Sequence, residues 1–144
     1  MEWNEVEGVE DINKLLKTFG YFHDSCLKEL VMWNDFHVQK DLSMAFGDGL
    51  DNNIKMLFQR QFNDPSAIEL LFEGVKEFHL GDAGLILDAN LILQDGMFIW
   101  ADAYDWKPND NAEDVTWIFS MKVKWRDVSH WMGDERRYGE LTES

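Results

Sequence analysis

The segment from Val115 to Trp125 constrains the fold more than any other part of the chain. Val115, Trp117, Phe119, Met121, Val123 and Trp125 alternate with Thr116, Ser120, Lys122 and Lys124, a period of two that puts the apolar set on one side of an extended strand. A strand with one apolar side needs further strands beside it and a core beneath it. Strict alternation predicts that Trp117, Phe119, Met121 and Val123 share the buried face.

The same period recurs upstream. Leu42, Met44 and Phe46 alternate within Val38 to Phe46, and Ile54, Met56, Phe58 and Phe62 repeat the pattern around Lys55, Gln59 and Gln61. Ile68 to Phe72, Val75 to Leu80, Leu85 to Leu93 and Met97 to Tyr104 read as further strands. Turn-forming residues separate them at Gly47-Asp48-Gly49 with Asp51-Asn52-Asn53, at Asn63-Asp64-Pro65, at Gly81-Asp82 and at Asp95-Gly96. Asp95-Gly96 lies between two apolar runs, and both residues tolerate the positive φ of a tight primed hairpin turn. Helical spacing occurs only near the start, where Ile12, Leu15, Leu16 and Phe19 precede Gly20 and predict one short amphipathic helix over residues 10–19. The expected fold class is therefore mainly β (α+β): an antiparallel sandwich or open barrel of about six to eight strands with one N-terminal helix. Curling follows because segments apolar on both sides, such as Leu85-Ile86-Leu87 and Leu70-Leu71-Phe72, cannot leave one face in water.

A chain of 144 residues falls in the size range of one domain, here residues 1–144. The polar stretch Lys107 to Asp114 reads as a loop, and the residues after Trp131, with Glu135-Arg136-Arg137, as a loosely held tail. The charge balance is 28 Asp and Glu against 13 Lys and Arg, a formal net charge of −15. Such a surface repels nucleic acid and anionic membranes and attracts a basic protein. With one cysteine, Cys26, an intrachain disulfide and a four-cysteine zinc site are both excluded, which suits a reducing cytoplasm. The opening Met1-Glu2-Trp3-Asn4-Glu5 has neither the basic start nor the apolar run of a secretory signal. No apolar run reaches the roughly 18 residues of a spanning helix. The expected location is cytoplasmic.

Chemistry-bearing residues gather in two places. Phe22-His23-Asp24-Ser25-Cys26 stands where the helix meets the first strand, but neighbours in extended chain point to opposite sides, whereas a nucleophile and its base come together from separate elements. The expectation is that Asp24 or Ser25 bonds local backbone amides and His23 packs beneath the turn. The second place is Phe98 to Trp106, where Phe98, Trp100, Asp102, Tyr104 and Trp106 share a face beside an acidic loop with Asp105, Asp110, Glu113 and Asp114. Buried aromatic anchors ringed by acids describe a surface that captures a basic partner; core aromatics with a solvated acidic edge describe it equally well. His23, His37, His79 and His130, taken with Asp88 or Asp102, match no compact metal-ligand spacing. Phosphate-cradling glycine motifs are missing, so neither a metal nor a cofactor is expected.

Tyr21-Phe22-His23-Asp24-Ser25, entering a strand through Leu27-Lys28-Glu29-Leu30, resembles the Phe-His-Asp-Ser opening of small, largely uncharacterised bacterial proteins. Leu71-Phe72-Glu73-Gly74-Val75 with Phe78, and Val123-Lys124-Trp125-Arg126, are similar in character to that group, so the likeness spans residues 21–126. Some of those proteins are thought to be immunity proteins of polymorphic toxin systems. The resemblance implies a small bacterial protein with a binding role and carries over no catalytic residue. Two expectations follow. The first is a non-enzymatic acidic binding protein that masks a basic toxin or enzyme surface through Asp102, Asp105, Trp106, Asp110 and Glu113. The alternative is a small hydrolase or other enzyme with His23, Asp24, Asp88 and Asp102 in the mouth of a barrel.

Overall fold

The computed structural model describes residues 2–139. Strand β1 (Asn4–Val6) leads into helix α1 (Val9–Thr18), and a 3-10 turn at Gly20–Phe22 hands the chain to β2 (Ser25–Asn34). Then come β3 (His37–Val38), β4 (Met44–Ala45), β5 (Asn52–Arg60), β6 (Ala67–His79), β7 (Leu85–Ile86), β8 (Asn90–Gln94), β9 (Met97–Ala101) and β10 (Trp117–Asp127). Seven of these strands run β7-β2-β5-β6-β10-β9-β8, with β1 also paired to β10, in one antiparallel sheet of eight strands. The sheet curls into a half-barrel. The fold is thus the mainly β, open-barrel architecture that the period-two segments imply.

Helix α1 closes the inner face. Ile12, Leu15 and Leu16 lie on its buried side, Glu10 and Asp11 occupy the first turn and Lys17 the last, so its charges match the helix dipole at both ends. Gly20 follows with φ of 56°, a left-handed conformation that glycine adopts without penalty and that ends the helix. Phe22 then turns inward. Its ring meets those of Phe19, Phe58 and Trp100 edge-on at 5.1, 5.0 and 5.8 Å, and this aromatic group sits at the centre of the inner core with Met56, Leu70, Phe72 and Ile118.

Strands β6 and β10 change faces together, and the expected burial changes with them. Across the pair, Trp125 stands opposite Leu70 and Val123 opposite Phe72, but farther along Ser120 stands opposite Val75 and Ile118 opposite Phe78. Each of these residues belongs to the inner side or packs against it, so the inward positions shift from odd to even numbers in β10 between Val123 and Ser120. Gly74 has φ of 66° here, and a Cβ on it would meet the Cβ of Met121 at 3.0 Å. The irregularity at Gly74 re-aims the side chains of β10 beyond it. The register slip between Phe119 and Ser120 lies past this point, where Lys76 is the extra residue of β6 and re-aims that strand alone. Trp117 and Phe119 are therefore half-buried on the outer face and Met121 is exposed, which corrects the strict alternation; Val123 is buried as expected.

Other boundaries shift as well. Ile68–Phe72 and Val75–Leu80 form one strand, β6, continuous through the Gly74 irregularity. Val38–Phe46 is no core strand but the short β3–β4 hairpin, with Leu42 84% and Phe46 76% exposed. The tail is fastened rather than loose up to Gly139. Gln59 Nε2 donates to the carbonyls of Trp131 and Gly133 at 2.8 and 3.1 Å, and the amides of Arg137 and Tyr138 donate to the carboxylate of Glu29 at 2.8 and 3.3 Å. Trp131 and Tyr138 pack there against Leu57, Ala67 and Val128, a second apolar cluster on the outer face.

Candidate functional site

The acidic aromatic segment forms a shelf on the outer face. Because β10 has changed faces, Trp117 and Phe119 point outward beside β9, and the loop after β9 folds back so that Trp106 stacks on Trp117 at 5.5 Å with an interplanar angle of 15°. Phe119 meets Trp106 edge-on at 6.4 Å, and His79 stacks on the other side of Trp117 at 5.6 Å. His79 Nδ1 lies 2.8 Å from the Val115 carbonyl, which fixes the ring and turns its Nε2 edge away from the backbone. Trp106 is half-buried, and its Nε1 is buried without a hydrogen-bond partner among the described residues. Tyr104 is more exposed, at 55%.

Carboxylates hold this loop and surround it. Asp102 Oδ1 accepts from the Thr116 amide at 2.9 Å, while the Asp102 amide donates to the Thr116 carbonyl at 3.0 Å. Burial holds the Asp102 carboxyl above the usual carboxylate range, against the lowering effect of the Thr116 amide. Asp110 Oδ2 accepts from the Lys107 amide at 2.7 Å and fixes the next turn. Asp105, Glu113 and Asp114 remain exposed. Of the five residues expected at a partner surface, the structure thus gathers Asp102, Asp105, Trp106 and Asp110 on one loop with Glu113, but Asp102 and Asp110 spend a carboxylate oxygen on loop geometry.

The alternative set does not gather in the same way. His23 Nε2 is 3.3 Å from Asp24 Oδ2, with both side chains substantially exposed, and His23 Nδ1 lies 2.9 Å from the Leu87 carbonyl. His23 is therefore on the surface and not beneath the turn. Asp24 pairs with His23, and the local backbone contact belongs to Ser25, whose hydroxyl donates to the Phe22 carbonyl at 2.6 Å. Asp88 Oδ1 accepts from the Tyr104 amide at 3.1 Å, so Asp88 and Asp102 each support a different backbone amide. A cleft of about 340 Å³ beside Asp24 is lined by Cys26, Gln59, Arg60, Leu85 and Met132; Arg60 there is occupied by the carbonyls of Pro65, Thr18 and Asn63.

Two groupings escape a reading of the sequence. Asp35, Asp48 and Asp51 bring carboxylate oxygens within 4.8 Å of one another around a turn in which Asp48 and Asp51 accept the Leu50 and Gly49 amides. A Cβ on Gly47 would displace the Asp51 carboxylate from this turn. The second is the apolar arm formed by Met32, Trp33, Phe36, Val38, Leu42, Met44 and Phe46, all exposed. Its only signal in sequence was the alternation of Leu42, Met44 and Phe46, which points to a core strand just as well. Among the described residues no helix is long and apolar enough to cross a membrane. Comparison with protein-family models, curated proteins and solved structures returns no match.

Proposed function

We propose that this protein is a non-enzymatic acidic binding protein that masks a basic surface on another protein, in the manner of an immunity protein that blocks a toxin. The observation that carries the reading is the shelf at Trp106, Trp117 and Phe119, which stands beside exposed Asp105, Glu113 and Asp114 on a chain of net charge −15. Acids at the rim accelerate the approach of a cationic partner, and a desolvated aromatic centre holds it. Trp106 supplies only the part of its surface that Trp117 leaves free. The hydrolase reading draws little from this geometry, because Asp88 and Asp102 are committed to backbone amides and only His23 and Asp24 meet.

The test is retention from a lysate of the source cell at low salt, followed by stopped-flow association with the purified retained protein. The reading expects a basic partner and an association rate that falls at least tenfold between about 20 and 300 mM salt. Trp106→Ala should weaken the complex by about 2 kcal/mol. Association that ignores salt, or a Trp106→Ala complex of unchanged affinity, would overturn the assignment of this shelf.

A further inference from the structure

Most edges of the sheet are managed. Helix α1 lies against β8 at one end, β1 exposes only a three-residue edge, and β7 at the other end pairs only with Ser25 and Cys26 of β2. The Leu27 amide then donates to the Gly84 carbonyl at 2.8 Å. Beyond that point β2 pairs with β5 alone among the described residues, which leaves the outer edge of Lys28 to Asn34 without a partner strand. An unpaired edge exposes a row of backbone donors and acceptors, and proteins usually shorten, charge or cover such edges. Here the edge is long and reads Leu30-Val31-Met32-Trp33 after Glu29. A cleft of about 400 Å³ runs beside it, between Lys28, Glu29, Leu30 and Val31 on one side and Arg136, Tyr138 and Gly139 on the other.

The edge runs directly into the apolar arm. Met32 is 53% exposed, and the Asp35 amide bonds the Asp51 carbonyl at 2.9 Å to bring the base of the β3–β4 hairpin alongside. Phe36 and Phe46 pair edge-on at 5.5 Å at its outer side. On the arm Asp35, Asp41, Asp48 and Asp51 accompany these side chains against Lys40, while at the cleft Lys28 and Arg136 stand beside Glu29, so the acidic border lies at the arm end of the edge. A free ladder, an apolar strip and an acidic border are the three features by which an extended cationic peptide is recognised: the ladder binds its backbone, the strip takes alternate side chains, and the acids meet its charges.

We infer that the open edge of β2 from Lys28 to Asn34, with the adjoining arm, docks an extended segment of a basic protein, which adds to the sheet as a further strand. The span is roughly 23 Å at about 3.3 Å per residue, enough for a strand of ordinary length. A second copy of this chain fits less well, because it brings the same acids and a further charge of −15 to the same border. The inference shares with the proposed function only the sign of the partner's charge and uses none of the shelf residues.

The experiment selects peptides from a phage-displayed library of random twelve-residue sequences on the intact protein. Enriched peptides are then synthesised and titrated into isotope-labelled protein, with amide shifts followed by NMR. Expected are cationic peptides with alternating apolar residues whose shifts centre on 28–34, whose affinity falls at least tenfold for Met32→Lys, and whose affinity for Trp106→Ala is unchanged. Should Met32→Lys fail to give a native spectrum, N-methylation of alternate peptide amides replaces it, and the same tenfold loss is expected because the ladder is broken. Several results overturn the inference: no enrichment, acidic peptides, or affinity untouched by both changes. Shifts confined to residues 102–114 overturn it while favouring the shelf. Concentration-dependent dimerisation with protection of 28–34 assigns the edge to a second copy, and at least tenfold tighter peptide binding by a chain ending at Gly139 assigns the cleft to residues 140–144; each overturns it.

Discussion

Glu69 shows how a single residue can be both costly and necessary. Its side chain has no exposed surface, yet Arg126 Nε donates to Oε1 at 2.6 Å, the Tyr138 hydroxyl donates to Oε2 at 2.7 Å, and Lys55 Nζ stands 3.8 Å away. Bonded on both oxygens, the carboxylate tolerates burial, whereas removing it strands the guanidinium and the hydroxyl. Glu69→Ala should therefore cost roughly 3 to 5 kcal/mol in urea unfolding, and a loss below about 1 kcal/mol would show that Arg126 and Tyr138 find other partners. Burial, then the bond to Glu69, raise the Tyr138 phenol above its ordinary value of 10.0. A raised folded pKa means stability that is complete below pH 10 and is lost as pH rises beyond it, since only the unfolded chain then gains by ionising. The stability difference between the parent and Tyr138→Phe should accordingly shrink above pH 10, and a constant difference would refute the coupling. Asp102 is the acidic counterpart. Its carboxyl is raised from 3.8 chiefly by burial, so its contribution falls as pH climbs from about 3.8 through the raised value. Asp102→Asn keeps an acceptor for the Thr116 amide and should remove that decline, as seen in unfolding midpoints measured across the acid range.

At the scale of elements, β10 separates what alternation can report from what it cannot. Period two identified the strand, but which face is buried depends on the irregularity opposite Gly74 of the neighbouring β6, and a single strand's pattern does not contain its partner's irregularity. Ile118, completely buried, should lose about 2 to 5 kcal/mol as Ile118→Ala. Met121→Ala, on the exposed side, should stay within about 0.5 kcal/mol. Denaturant midpoints with the reverse order would restore the original face. Asp95-Gly96 was legible because the turn is encoded locally: Asp95 and Gly96 have φ of 52° and 78°, and they join β8 to β9 as read. Helix α1 was legible for the same reason. The β3–β4 arm was not, since Leu42, Met44 and Phe46 carry a buried strand's pattern on an exposed hairpin, and only the three-dimensional structure reveals that nothing among the described residues covers them. The candidate loop was legible in composition, through Trp106 and its acids, but the stacking on Trp117 depends on the same face change and was invisible.

At the scale of the whole molecule the acidic excess acts in two opposed ways. Under the proposed function it draws a cationic partner from a distance, and in the free protein it strains the fold, because charges totalling −15 repel one another once the chain is compact. The internal ion pairs offset part of this strain without depending on salt to the same degree. Glu69 with Arg126 is buried, and Lys124 with Glu73, 3.3 Å apart, is partly shielded, so screening at a Debye length of about 8 Å weakens them less than it weakens repulsion between exposed acids. Added salt should therefore stabilise the free protein. Raising sodium chloride from about 20 to 300 mM should lift the melting temperature by roughly 3 °C, which for a chain of this length corresponds to about 1 kcal/mol, while the same change slows association with a basic partner. Free-protein stability that falls with salt would mean that the attractive pairs outweigh the repulsion. The charge would then be structural rather than an investment in binding, and the reading of this chain as an electrostatic binder would lose its main physical support.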